Sequence, residues 1–176
     1  MLQTITAILI FAFPALVVVG GLRDATSFTI PNWISLALIA LFLPAALIGG
    51  VTLPQMGVAA LIGVFALFAA MGMFAMGWIG GGDAKLFAAS ALWLGFPGVV
   101  NFVLITGLAG GALALALLGL RSMWLRPIAE RGPAWFSRLA KPGGDVPYGV
   151  AIAFGALAAF PDSLLGRVFP LGGLAG

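Results

Sequence analysis

Five carboxylic acids, Asp24, Asp83, Glu130, Asp145 and Asp162, are the whole acidic complement of a 176-residue chain that contains neither histidine nor cysteine. Without histidine the chain lacks the commonest metal ligand, the usual general base and any Ser-His or Cys-His nucleophile pair. Without cysteine it has no disulfides, iron–sulfur clusters or thiolate zinc sites. Acid–base chemistry here must run on carboxylates or lysine. Three of the five acids have a sufficient structural reading. Glu130 sits beside Arg126 and Arg131 as a surface charge pair. Asp145 lies two residues before Pro147, where a helix N-cap is expected. Asp162 stands in a Pro161-Asp162-Ser163 turn.

Asp24 and Asp83 are different, because each stands where a long uncharged stretch meets a short polar one. Ionisable groups at a membrane boundary are costly and therefore candidates for function. The alternative is that Asp24 pairs with Arg23 and Asp83 caps a helix. Gly80-Gly81-Gly82, immediately before Asp83, removes side-chain bulk, permits an irregular backbone and lets another segment approach closely. A phosphate loop is a poor fit, since no strand precedes the glycines and the Lys-Ser/Thr ending is missing. Two carboxyl groups held close together do not both ionise easily. One can then act as base on a water while the other, protonated, donates to a carbonyl oxygen.

The elements that must position these two residues are membrane spans. Only 7% of the residues are charged, 62% are hydrophobic, and mean hydropathy is +1.20. A soluble domain carries about 25% charged residues, and a disordered chain would be polar. Uncharged stretches run over 1–22, 31–49, 55–78 and 86–120, with an apolar stretch at 147–160. The 86–120 stretch is too long for one span. Gly95-Phe96-Pro97-Gly98 divides it, giving six predicted helices of which the fourth and sixth are short. A cleaved signal peptide does not fit the first stretch, which lacks a basic n-region and is followed by Arg23-Asp24.

Seven of the eight basic residues fall in the loops at 23–30, 79–85 and 121–146, and only Arg167 on the other side. The positive-inside rule places those loops in the cytoplasm and both termini outside. Trp33, Trp78 and Trp124 fall near cytoplasmic helix ends and Trp93 near an outer end, as interfacial aromatics do. Eight basic residues so distributed do not make a nucleic-acid surface. The 121–146 loop mixes Arg121, Arg126, Arg131, Arg138 and Lys141 with Trp124, Leu125, Ile128, Trp135, Phe136 and Leu139. It reads either as an amphipathic element on an anionic leaflet or as a solvated loop whose charges set topology. The expectation is one membrane-embedded domain over 1–176, all α-helical, polytopic, with no internal repeat.

At the two aspartates the sequence resembles a known family. Asp24 followed by Ile30-Pro31-Asn32, then Gly80-Gly81-Gly82-Asp83-Ala84-Lys85-Leu86, is similar to the paired motifs of the type IV prepilin peptidases, GxGD-type aspartic proteases of the bacterial inner membrane. Val146-Pro147-Tyr148-Gly149 also resembles a family segment. The resemblance implies cleavage of a short basic leader from prepilins at the cytoplasmic face, with Asp24 and Asp83 catalytic and with no metal or cofactor. It implies that Gly80, Gly82, Lys85, Ile30, Pro31 and Asn32 flank the site. Lys85 either biases the pair or orients substrate, or else snorkels to the interface.

Larger members of that family carry an N-terminal cytoplasmic domain with Cys-x-x-Cys pairs and also methylate the new pilin N-terminus; with cysteine absent, neither that domain nor methylation is expected here. The short chain looks like the subgroup serving tight-adherence (Flp) pili. The stretch after Asp24, Ala-Thr-Ser-Phe-Thr, lacks the basic residues common there, which bears on substrate preference rather than catalysis. Two rival readings remain at this level: a small proton-coupled transporter with Asp24 and Asp83 as relay groups, and a non-catalytic component of pilus or secretion assembly.

Overall fold

A computed structural model describes residues 2–168. Among them the regular elements are all helical: α1 (Leu2–Ser27), α2 (Asn32–Ile48), α3 (Leu53–Ala75), α4 (Gly81–Leu120), α5 (Arg126–Ala129), α6 (Ala134–Leu139), α7 (Tyr148–Ala159) and α8 (Leu164–Val168), with a 3-10 turn at Phe160–Asp162. Stretches 7–27, 53–75, 81–120 and 148–167 are long and apolar enough to cross a bilayer, and 32–48 is a shorter apolar helix. The protein is an all-α polytopic membrane protein. The C-terminal end, expected outside, lies in 169–176, beyond the described residues.

α4 is the hub, packing against α1, α2, α3, α7 and α8. It is not straight. Gly95 adopts φ 54, ψ −164 and Phe96 φ −96, ψ 137, so the helical run divides into two arms. This is the break expected from Gly95-Phe96-Pro97-Gly98: the left-handed φ at residue 95 suits glycine, and proline disrupts the ladder. Counting the arms separately gives six apolar helical segments, with the first arm of α4 and the 12-residue α7 the short ones.

Two boundaries differ from the charge-based expectation. α1 does not stop at Leu22 but continues through Arg23 and Asp24 to Ser27. The Thr26 hydroxyl donates to the Leu22 carbonyl at 2.7 Å and that of Ser27 to the Arg23 carbonyl at 2.6 Å, extending the ladder. Phe28 then ends the helix with a left-handed φ of 54. The glycine run is not an irregular loop either. Gly80 is the N-cap of α4, Gly81 and Gly82 are in its first turn, and Asp83 falls at the third helical position. There its carboxylate Oδ2 accepts the Gly80 N–H at 3.0 Å, a capping bond that offsets the weak helix preference of glycine.

The core contains an aromatic cluster at the far end of the first arm of α4. Trp93 is fully buried, stacked on Phe13 at 5.2 Å and edge-on to Phe42 at 6.0 Å between ring centres. Its indole N–H donates to the Leu38 carbonyl at 2.7 Å. Trp93 is thus not an interfacial anchor, as its sequence position suggests: its N–H finds a partner on a neighbouring helix, which allows the ring to be buried. Trp33, Trp78 and Trp124 are exposed. Asp145 is not an N-cap, because α7 is capped at Pro147 without a side-chain bond. Its backbone carbonyl instead accepts Arg121 at 2.7 Å, while Leu139 O accepts the same guanidinium at 2.9 Å, fastening the 121–146 segment to the end of α4. That segment folds into the short α5 and α6, leaving Met123 and Trp124 almost fully exposed.

Candidate active site

Four helix ends meet at one end of the bundle: the C-terminal turns of α1 and the N-termini of α2, α4 and α7. Asp24 is carried by α1, which packs along α7. Its Oδ2 accepts the Gly149 N–H at 2.7 Å in a buried bond. Asp83 is carried by the first turn of α4. Besides the Gly80 bond through Oδ2, its Oδ1 is buried and has no hydrogen-bond donor. The two residues are 4% and 5% exposed, and among the described residues they are the only buried acids. Gly149, whose amide holds Asp24, and Gly82, next to Asp83 in the chain, both pack against the buried Ile30, which brings the two carboxyl groups to one place. α4 and α7 therefore both aim their N-terminal amides, the positive ends of their dipoles, at this pair.

The glycines act through close approach. A Cβ at Gly149 would meet Asp24 Cβ at 2.8 Å, Asp24 Oδ2 at 2.9 Å and Ile30 Cδ1 at 2.8 Å. No other residue type fits between the carboxylate and the α7 backbone. A Cβ at Gly82 would meet Ile30 Cβ at 3.0 Å. Ile30 is buried in the turn between α1 and α2, Pro31 is the N-cap of α2, and Asn32 is its first residue. Lys85 Nζ donates to Asn32 Oδ1 at 2.8 Å, tying α4 to α2 on the exposed side of the pair. Gly80, Gly82, Lys85, Ile30, Pro31 and Asn32 thus all stand around the two aspartates.

Gly149 is the residue that sequence reasoning left out of the site. Its signal was present: Pro147-Tyr148-Gly149 opens an apolar stretch, and a glycine at a helix start marks a place where something approaches. What the chain does not announce is that the approaching group is Asp24, 125 positions away. Two of the remaining acids have other side-chain partners. Glu130 pairs with Arg126 at 2.7 Å, and Asp162 accepts Asn101 Nδ2 at 2.7 Å.

Two grooves open beside residues that surround the pair. One of about 490 Å³ begins at Asn32 and Lys85 and runs between α2, α3 and the first arm of α4, past Ser35, Gly63 and Leu92. The other, of about 350 Å³, is bounded by Ile79, Phe87, Thr106 and Tyr148. Among the described residues no group of three or more acids gathers as a metal cluster would require. Two adjoining buried carboxyl groups, one with a free acceptor oxygen, can take a proton from a water and give one to a carbonyl oxygen.

No curated protein and no solved structure matches the chain. The sequence profile of the Type IV leader peptidase family matches residues 11–115, a range that spans Asp24, Ile30-Pro31-Asn32, Asp83 and Lys85. The chain belongs to the Type IV leader peptidase family.

Proposed function

We propose that the protein is an aspartic endopeptidase that removes the short basic leader of Flp-type prepilins, with Asp24 and Asp83 as its catalytic pair. The observation that carries this reading is the meeting of two buried carboxyl groups beside the Gly149 amide, in a chain with no histidine or cysteine to offer another route. In the proposed reaction the pair holds one proton and binds a water. The ionised carboxylate takes a proton from that water as its oxygen attacks the scissile carbonyl carbon, and the protonated one gives its proton to the carbonyl oxygen. Collapse of the tetrahedral diol breaks the C–N bond. As it collapses, one diol hydroxyl gives its proton to the ionised carboxylate while the protonated one gives its proton to the leaving nitrogen, so the pair again holds one proton. No covalent intermediate is needed. Asp83 Oδ1, buried without a donor, is the position where the water or the shared proton would sit.

The same reading places the site at the cytoplasmic face of a bacterial inner membrane. The support is the distribution of basic residues: Arg23 and Lys85 flank the pair, and Arg121 to Lys141 lie on the same side of the predicted spans. The substrate's leader would then reach the pair from the cytoplasm while its hydrophobic segment stays in the bilayer. Co-expression with a Flp-type prepilin, read by gel mobility and by mass spectrometry of the new N-terminus, tests the activity. A single cleavage ahead of the prepilin's hydrophobic segment is expected. An uncleaved prepilin together with proton-coupled flux in liposomes would favour the transporter instead.

A further inference from the structure

Ile30 has no chemistry of its own, yet it lies buried at the centre of the site. It touches two glycines that belong to different helices. On one side its Cβ, N and O crowd Gly82, where an added Cβ would meet them at 3.0, 3.3 and 3.3 Å. On the other its Cδ1 crowds Gly149, where an added Cβ would meet it at 2.8 Å. Gly82 is covalently joined to Asp83, and Gly149 supplies the amide that holds Asp24. One residue therefore fills the gap between the backbone segments that fix the two carboxyl groups, with its backbone and Cβ against Gly82 and its Cδ1 against Gly149. An isoleucine suits such a place, because branching at Cβ leaves χ1 little freedom. Two residues beyond Ile30, Asn32 Oδ1 accepts Lys85 Nζ at 2.8 Å, and Lys85 lies two residues beyond Asp83. That bond closes the turn over the wedge.

Building on the aspartic-pair reading, we propose that Ile30 is a positioning residue, a spacer wedged between Gly82 and Gly149 that sets the separation of the Asp24 and Asp83 carboxyl groups, with the Asn32–Lys85 bond as the clasp that keeps it seated. Loss of the Cδ1 methyl opens the Gly149 side of the wedge, whereas the Gly82 side, made by Cβ, N and O, is kept by any residue with a Cβ. Displacements of about 1 Å between reacting groups cost on the order of a hundredfold in rate, so a small change in this spacer is read strongly in catalysis.

The absence of cysteine offers a test independent of activity. The Asp24→Cys, Asp83→Cys double variant carries the chain's only thiols, and its rate of disulfide formation in native membranes under mild oxidant reads the separation directly. The parent pair is expected to cross-link readily. Adding Ile30→Val or Ile30→Ala is expected to change that rate by on the order of tenfold, since a disulfide tolerates little change in Cβ separation.

With both aspartates intact, Ile30→Val is expected to lower kcat for prepilin cleavage by on the order of tenfold while KM stays within about twofold. Ile34→Val, the same methyl loss at a fully buried position within α2, leaves both the cross-linking rate and kcat near wild type. Asn32→Ala lowers kcat and Asn32→Asp, which still accepts from Lys85, restores it. A parent pair that does not cross-link overturns the spacer, and so do cross-linking and kcat values indifferent to Ile30. Wild-type protein that cleaves no prepilin refutes the peptidase reading instead, so the two failures are told apart.

Discussion

The first arm of α4 carries a different kind of structure at each end. At its N-terminus Asp83 is fixed by one capping bond and by the close approach of Ile30 to Gly82. Ten residues on, Trp93 is locked among Phe13, Phe42 and the Leu38 carbonyl. The apolar end is held by area and shape, which many atoms share. The polar end is held by a few directional bonds and by the absence of side chains at two glycines, so each single element there matters more to geometry than to stability. A membrane interior sharpens the contrast, because lipid is as apolar as leucine and helix association rests on packing and on hydrogen bonds between helices.

Substitutions at the two ends should therefore fail in opposite ways. Trp93→Ala removes the centre of the aromatic cluster and is expected to cost about 3–5 kcal/mol, measured by denaturation in detergent. The protein that remains folded should retain most of its specific activity. Gly149→Ala is expected to do the reverse. Its methyl would displace Asp24 or α7, lowering cleavage by on the order of a hundredfold, with the stability cost confined to about 1–3 kcal/mol of overpacking. If Gly149→Ala unfolds the protein while Trp93→Ala inactivates folded protein, the contrast is wrong.

Two smaller changes sharpen the comparison. Trp93→Phe keeps an aromatic ring and loses only the bond to Leu38 O and some volume, so about 1 kcal/mol is expected on the same denaturation scale. Arg126→Ala removes the i,i+4 pair with Glu130, half exposed on both sides, and should cost no more than about 0.5 kcal/mol. An effect of several kcal/mol there would mean that the 121–146 segment, pinned through Arg121 to Leu139 and Asp145, carries more of the fold than its surface position suggests.

The legible parts of this molecule are those that depend on one stretch of chain at a time. Uncharged runs mark the helices, and Gly95-Phe96-Pro97-Gly98 marks the break in α4, because span length and backbone preference are local properties. The two aspartates stand out for the same reason: a charge at the end of a long apolar run needs a cause. The positions that were misread depend on partners. α1 runs past Arg23 and Asp24 because hydroxyls of Thr26 and Ser27 return to its own carbonyls and because Asp24 has an amide waiting on α7. Trp93 looks interfacial until Leu38 O is seen beneath its N–H. Gly149 and Ile30 gain their significance only from distances across the fold, and spacing along the chain does not encode those.

The measurement that bears most directly on the central claim compares wild type with Asp24→Asn and Asp83→Asn in cleavage of a Flp-type prepilin, with membrane levels matched. Asparagine keeps the size of each side chain and an acceptor for the Gly149 and Gly80 amides, so both variants should fold and accumulate normally. The account predicts cleavage by wild type and none by either variant. Cleavage that survives either substitution would contradict it.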